Sequence, residues 1–101
     1  MGKFVKVAKK SDIPEDSGLH VELGGREIAL FKVDGKVYAI DNMCPHAGGP
    51  LAEGGLNGKK VMCPWHGWEF DVTDGACAFN KAITVSTIKV QEKGGDIYLE
   101  T

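Results

Sequence analysis

Nowhere in these 101 residues do about twenty apolar side chains follow one another, the length of a bilayer-crossing helix, and residues 1–10 lack the apolar stretch of a secretory signal. The expected setting is the cytoplasm, with no membrane partner. An excess of positive charge is missing too: 12 Lys and Arg face 14 Asp and Glu, a formal net charge of -2, which argues against nucleic acid as a partner. Only three cysteines are present, an odd count, whereas a small secreted scaffold usually pairs four, six or eight. Metal or redox chemistry suits them better. The chain shows no internal repeat, no low-complexity tract, no linker, and no flavin or nicotinamide fingerprint. With 43% hydrophobic and 26% charged residues, it reads as one globular domain over residues 1–101, its core near the lower limit of self-sufficiency. A bound metal centre would add stability to such a core.

Helical periodicity is also scarce, and only residues 11–16 suggest a single turn. Glycine is plentiful, with 14 residues standing mainly where extended segments meet. Residues 19–23 alternate strictly, Gly24-Gly25 intervenes, and 26–33 resumes as an apolar-rich strand. Asp34-Gly35 suits the positive φ values of a type I′ turn, after which 36–40 returns as the next strand. Residues 42–58, dense in Gly, Pro and Asn, read as loop. Residues 60–62 form a short strand, 63–67 a second tight loop, and 68–72 a strand ending at Thr73-Asp74-Gly75. A last hairpin joins 87–91 to 96–100 across Gly94-Gly95. The expectation is an all-β, antiparallel structure in which two loops leave neighbouring strands.

Two of the three cysteines and two of the three histidines fall into paired short motifs, Cys44-Pro45-His46 and Cys63-Pro64-Trp65-His66, with sixteen residues between them. Gaps of one and two residues let both donors of a motif reach one centre from a single turn, and the proline stiffens that turn in advance. Each loop then supplies one sulfur and one nitrogen. Gly48, Gly49 and Gly67 would let backbone pass close to an inorganic centre.

This motif pair resembles the Rieske iron-sulfur family, and the similarity runs from about Val33 to Gly75, with weaker agreement to the end of the chain. Pro45, Gly67, Trp68, Phe70, Asp71 and Gly75 also look like that family. The resemblance implies a small antiparallel β-sandwich carrying a cluster-binding subdomain of two loops, about 42–79. It implies one 2Fe-2S cluster, with Cys44 and Cys63 as thiolate ligands of one iron and His46 and His66 as imidazole ligands of the other. Two ferric irons, two sulfides and two thiolates sum to zero, against -2 for four thiolates, so the electron enters a neutral cluster. Family members of high potential carry an extra, disulfide-joined cysteine in each loop, and Ser and Tyr hydroxyls aimed at sulfur. Those positions correspond here to Gly49 and Trp65, and to Trp68 and Phe70. A potential at the low end of the Rieske range follows. In a third loop, Phe79-Asn80-Lys81-Ala82 stands where relatives carry Gly-Pro, and Lys81 would raise the potential slightly by its charge.

The competing reading of the four donors is tetrahedral zinc, whose modules favour C-x-x-C or H-x-x-x-H pairs over mixed knuckles of this kind. His20 reads as a solvent-facing strand residue, since Leu19, Val21 and Leu23 claim the opposite face. Cys77 reads as a small, partly buried hydrophobe, Met43 and Met62 as core packing, with cover over the cluster as the second reading, and Trp65 and Trp68 as shields of the cluster, with Trp65 a candidate docking residue. The chain lacks a two-His, one-carboxylate iron site and cannot oxidise a substrate alone. The function expected is that of a monomeric, soluble, low-potential ferredoxin. It would pass single electrons from a flavin-dependent reductase to a terminal oxygenase. The alternative is a small electron-transfer subunit of a larger oxidoreductase such as a nitrite reductase.

Overall fold

Strict alternation and tight glycine turns become a meander in the computed structural model, which describes residues 3–44, 49–65 and 67–100. Strand β1 (Phe4–Lys9) leads through a 3-10 turn at Lys10–Asp12 into β2 (Leu19–Leu23), β3 (Arg26–Val33) and β4 (Lys36–Asp41). Asp34 and Gly35 take φ values of 51° and 78°, as a type I′ turn demands. A 3-10 turn at Leu51–Glu53 precedes the short strands β5 (Leu56–Asn57), β6 (Lys60–Met62) and β7 (Glu69–Asp71). The chain ends in β8 (Thr87–Ile88), β9 (Val90–Lys93) and β10 (Asp96–Glu100).

Among the described residues three antiparallel sheets result, ordered β1-β10-β9, β2-β3-β4-β8 and β5-β6-β7. The middle sheet serves two cores at once. Along β3, Ile28 and Leu30 pack with Val37, Ala39, Ile97 and Leu99 on the base side. Ala29 and Phe31 pack with Ile40, Leu51, Val61 and Phe70 on the other side. Successive side chains of a strand point to opposite faces, so four consecutive buried residues supply both cores.

Residues 87–91 are not one continuous strand: Thr87–Ile88 pairs with β4, whereas Val90–Lys93 pairs with β10 in the base sheet. The same residues therefore hand the chain from one sheet to the other. Strand β1 lay outside the sequence expectation. It pairs with β10, almost the whole chain length away, and its register shifts between Lys6 and Ala8, which breaks the alternation that would have revealed it. Strand β5 sits inside the segment expected to be loop.

Candidate metal centre

The sheet β5-β6-β7 and the end of β4 bring two separate loops to one place. In the first loop, the amide of Cys44 donates to the Gly49 carbonyl at 2.9 Å, and Met43 bridges to Pro50. Asn42, buried at the loop's foot, accepts from the Ala52 amide at 2.8 Å through Oδ1, while its own carbonyl accepts from the Leu51 amide at 2.7 Å. Four polar groups are thereby paired, and the strand leading into Cys44 is pinned to the 3-10 turn. In the second loop, the Cys63 amide donates to the Trp68 carbonyl at 2.6 Å and the Gly67 amide to the Cys63 carbonyl at 3.2 Å. Both bonds return to Cys63, at the end of β6, from Gly67 and Trp68.

The outcome is a pair of thiols, Cys44 and Cys63, each about 1% exposed, unbridged by disulfide and within hydrogen-bond reach of one another. Burial pushes the Cys63 thiol up from its ordinary value, and the neighbouring Cys44 adds to that. The Trp65 backbone N–H opposes both by donating to the sulfur. Two soft donors converging from different loops, neither of them in a disulfide, are an arrangement that suits an iron-sulfur centre. The site fits such a group on steric grounds as well. A Cβ on Gly49 would lie 2.8 Å from Cys63 Sγ, so the first loop can close on that sulfur only as glycine. His46 and His66, the expected imidazole donors, lie outside the described residues.

Cys77 is 1% exposed in the same core, bridged to Phe70 on the edge of β7, which bears out its reading as a small hydrophobe. His20 is half-exposed and faces Glu27 at 3.1 Å on the surface of the middle sheet, also as expected. Met43 and Met62 correct the expectation: both are exposed, at 61% and 46%, and neither packs in the core. Each precedes a cysteine that points inward, and the alternation of an extended chain turns its neighbour outward. Trp65 is half-exposed, while Phe70 is fully buried against the cysteines.

The third loop has its own means of order in place of a proline. Asn80 Oδ1 accepts from the Ala82 amide at 3.0 Å, the Ile83 amide returns to the Asn80 carbonyl, and Phe79 meets Trp68 edge to face, with ring centroids 4.9 Å apart. At the far end of β7, burial pushes the Asp71 carboxyl up. The hydroxyl and amide of Thr73 and the Lys59 ammonium outweigh that and bring it below the usual carboxylate value. A group depressed in the folded state stabilises the protein above its unfolded pKa of about 3.9, and that stability disappears as pH falls through the lower folded value. The deficit in unfolding temperature of Asp71→Asn relative to the parent protein is therefore expected in full at pH 6 and to shrink below about pH 4. A deficit constant with pH would show that the charge contributes nothing.

Asn42 is the functional residue that sequence reasoning missed. Its signal was an amide side chain two positions before Cys44, in a segment otherwise read as loop.

Residues 3–89 match the family described as Rieske [2Fe-2S] domain. Among curated relatives, the ferredoxin component of the naphthalene 1,2-dioxygenase/salicylate 5-hydroxylase systems of Ralstonia sp is 40% identical over 72 residues, covering 71% of this chain and 69% of the relative. Among solved structures, Sphingomonas yanoikuyae B1 ferredoxin superposes with a TM-score of 0.89 at 27% identity, covering 98% of this chain and 99% of that one. A chain from the complex of reduced oxygenase and oxidised ferredoxin in carbazole 1,9a-dioxygenase gives 0.84 at 30% identity, covering 94% and 99%. With paired buried thiols at the mouth of an antiparallel sheet, the chain belongs to the Rieske [2Fe-2S] family, an electron carrier whose cofactor is one 2Fe-2S cluster.

Proposed function

We propose that Cys44, His46, Cys63 and His66 hold the cluster, and that the chain is a soluble cytoplasmic monomer carrying single electrons from a flavin-dependent reductase to a terminal oxygenase. The observation that supports this most is the convergence of the Cys44 and Cys63 thiols from two hydrogen-bonded loops. When bound, the cluster supplies a one-electron couple. The protein's share is to hold the donors rigidly, so that little rearranges with each transfer, and to keep water from the sulfurs with Val61, Phe70 and Leu51. No helix among the described residues is long and apolar enough to cross a membrane. A terminal oxygenase is favoured as acceptor by the dioxygenase systems to which the matched ferredoxin component belongs. The alternative is a small electron-transfer subunit of a larger oxidoreductase such as a nitrite reductase.

Iron and acid-labile sulfide in equal amounts, and a reduced-state paramagnetic signal, are the outcome expected of the purified protein; bound zinc would refute the assignment. Coupled turnover by a ring-hydroxylating oxygenase and a flavin reductase, dependent on added chain, tests the partners. Phe70 is fully buried and Trp68 half-buried, and neither carries an O–H to offer sulfur. The potential is expected near the low end of the Rieske span, about -150 mV, and a titrated value well above zero would overturn that placement.

A further inference from the structure

Gly49 lies outside the left-handed region, so nothing in its backbone conformation calls for glycine. What calls for it is space. A Cβ there would meet Cys63 Sγ at 2.8 Å, Trp65 Cγ at 3.1 Å and Trp65 Cδ2 at 3.2 Å, all in the opposite loop. The first distance is shorter than real Cβ contacts, and the other two are tighter than most. The Trp65 indole thus lies against Gly49, a position of the first loop that has no side chain. Each partner is fixed on its own side: the Gly49 carbonyl accepts the Cys44 amide at 2.9 Å, and the Trp65 amide donates to Cys63 Sγ. The contact therefore joins the backbone that seats one thiol to the backbone that seats the other. Half of the indole remains exposed, so core filling does not account for it.

We propose that Gly49 and Trp65 form a non-covalent latch between the two loops, setting the separation of the Cys44 and Cys63 sulfurs and slowing the opening through which a bound cluster is lost. Both are positioning residues, and the proposal rests on the reading of the two cysteines as cluster ligands. The latch is a matter of shape. An aromatic plane at 65 and an absent side chain at 49 are complementary, and either can be spoiled alone.

The experiment compares cluster-loaded Gly49→Ala, Trp65→Ala, Trp65→Phe and the Gly49→Ala/Trp65→Ala double variant with the parent protein. The readouts are the rate at which visible absorbance decays in the presence of an iron chelator and the spectrum of the reduced paramagnetic state. Trp65→Ala is expected to lose the cluster about tenfold faster, as when a supporting contact of a metal site is removed, and Trp65→Phe to restore most of the parent rate. Gly49→Ala is expected to shift the spectrum, because Cys63 Sγ must move. In the double variant the added methyl still meets Cys63 Sγ but no indole, so its cluster loss should fall short of the sum of the two single effects. Parent-like decay in Trp65→Ala, or fully additive effects in the double variant, would overturn the latch. Should Gly49→Ala fail to load, the contrast between alanine and phenylalanine at 65 still decides. Failure of the ligand reading looks different, because the parent protein itself would then hold no iron and sulfide.

Discussion

Cys63→Ser is expected to be a colourless protein with iron and sulfide near background, whereas Cys77→Ser stays coloured. The two cysteines are equally buried and belong to the same core, so burial alone predicts no difference between them. What separates them is their setting. Cys63 stands at the end of β6 in a loop folded by its own amide and carbonyl, with the Cys44 thiol beside it and the Trp65 amide aimed at its sulfur. The Cys77 amide donates to the Ile83 carbonyl, and Cys77 is bridged across to Phe70. A serine at 63 offers iron a harder, less readily ionised donor in a place closed to water, and occupancy should fall by about 100-fold or more. A serine at 77 buries a hydroxyl at a cost of about 1–3 kcal/mol and touches no ligand. Iron and sulfide analysis of the two purified variants checks the contrast. A coloured Cys63→Ser protein with the parent's spectrum would remove Cys63 from the ligand set.

Gly54→Ala is expected to be nearly as damaging without touching a donor atom. Gly54 follows the 3-10 turn with an ordinary φ of -76° and ψ of 160°, yet a Cβ there would stand 1.9 Å from the Met62 carbonyl oxygen, 3.0 Å from its carbon and 3.2 Å from the Leu51 oxygen. All three are backbone atoms, so no rotamer change relieves the contact. Met62 immediately precedes Cys63, and the Met62 amide is held by the Gly55 carbonyl at 2.9 Å. Any retreat of β6 therefore carries Cys63 with it. A loss of about 3 kcal/mol, or an unfolding temperature lower by roughly 15 °C, is the expected scale, with incomplete cluster loading alongside. Gly55→Ala is the control. Nothing lies within 4 Å of its Cβ position, and it should behave as the parent. Equal melting of the two variants in a thermal scan would remove the close approach as a cause.

The paired Cys/His motifs and the local hairpins were legible in the sequence because their signals are local. The β2–β3 strand boundaries follow from LHVEL, Gly24-Gly25 and the apolar run after Arg26, and the next turn follows from Asp34-Gly35. The convergence of Cys44 and Cys63, which the structure brings together, was readable from C-x-H and C-x-x-H spacing. Strand β1 was not legible, because its partner β10 is distant in sequence and a register shift spoils its period. The exposure of Met43 and Met62 was misjudged because hydrophobicity was weighed without the alternation that the neighbouring cysteines impose. The needs of Gly49 and Gly54 for empty space were invisible for a different reason. Each is set by an atom of another segment, and nothing adjacent in the sequence reports it.

The double duty of β3 bears on how the molecule comes apart. Ile28 and Leu30 belong to the base core while Ala29 and Phe31 belong to the cluster-side core, and one backbone ladder carries all four. Neither half can melt while the other keeps its ladder registered, so the two cores share one cooperative transition. Stability gained at the metal end is thereby felt at the termini, whose strands β1 and β10 close the opposite face.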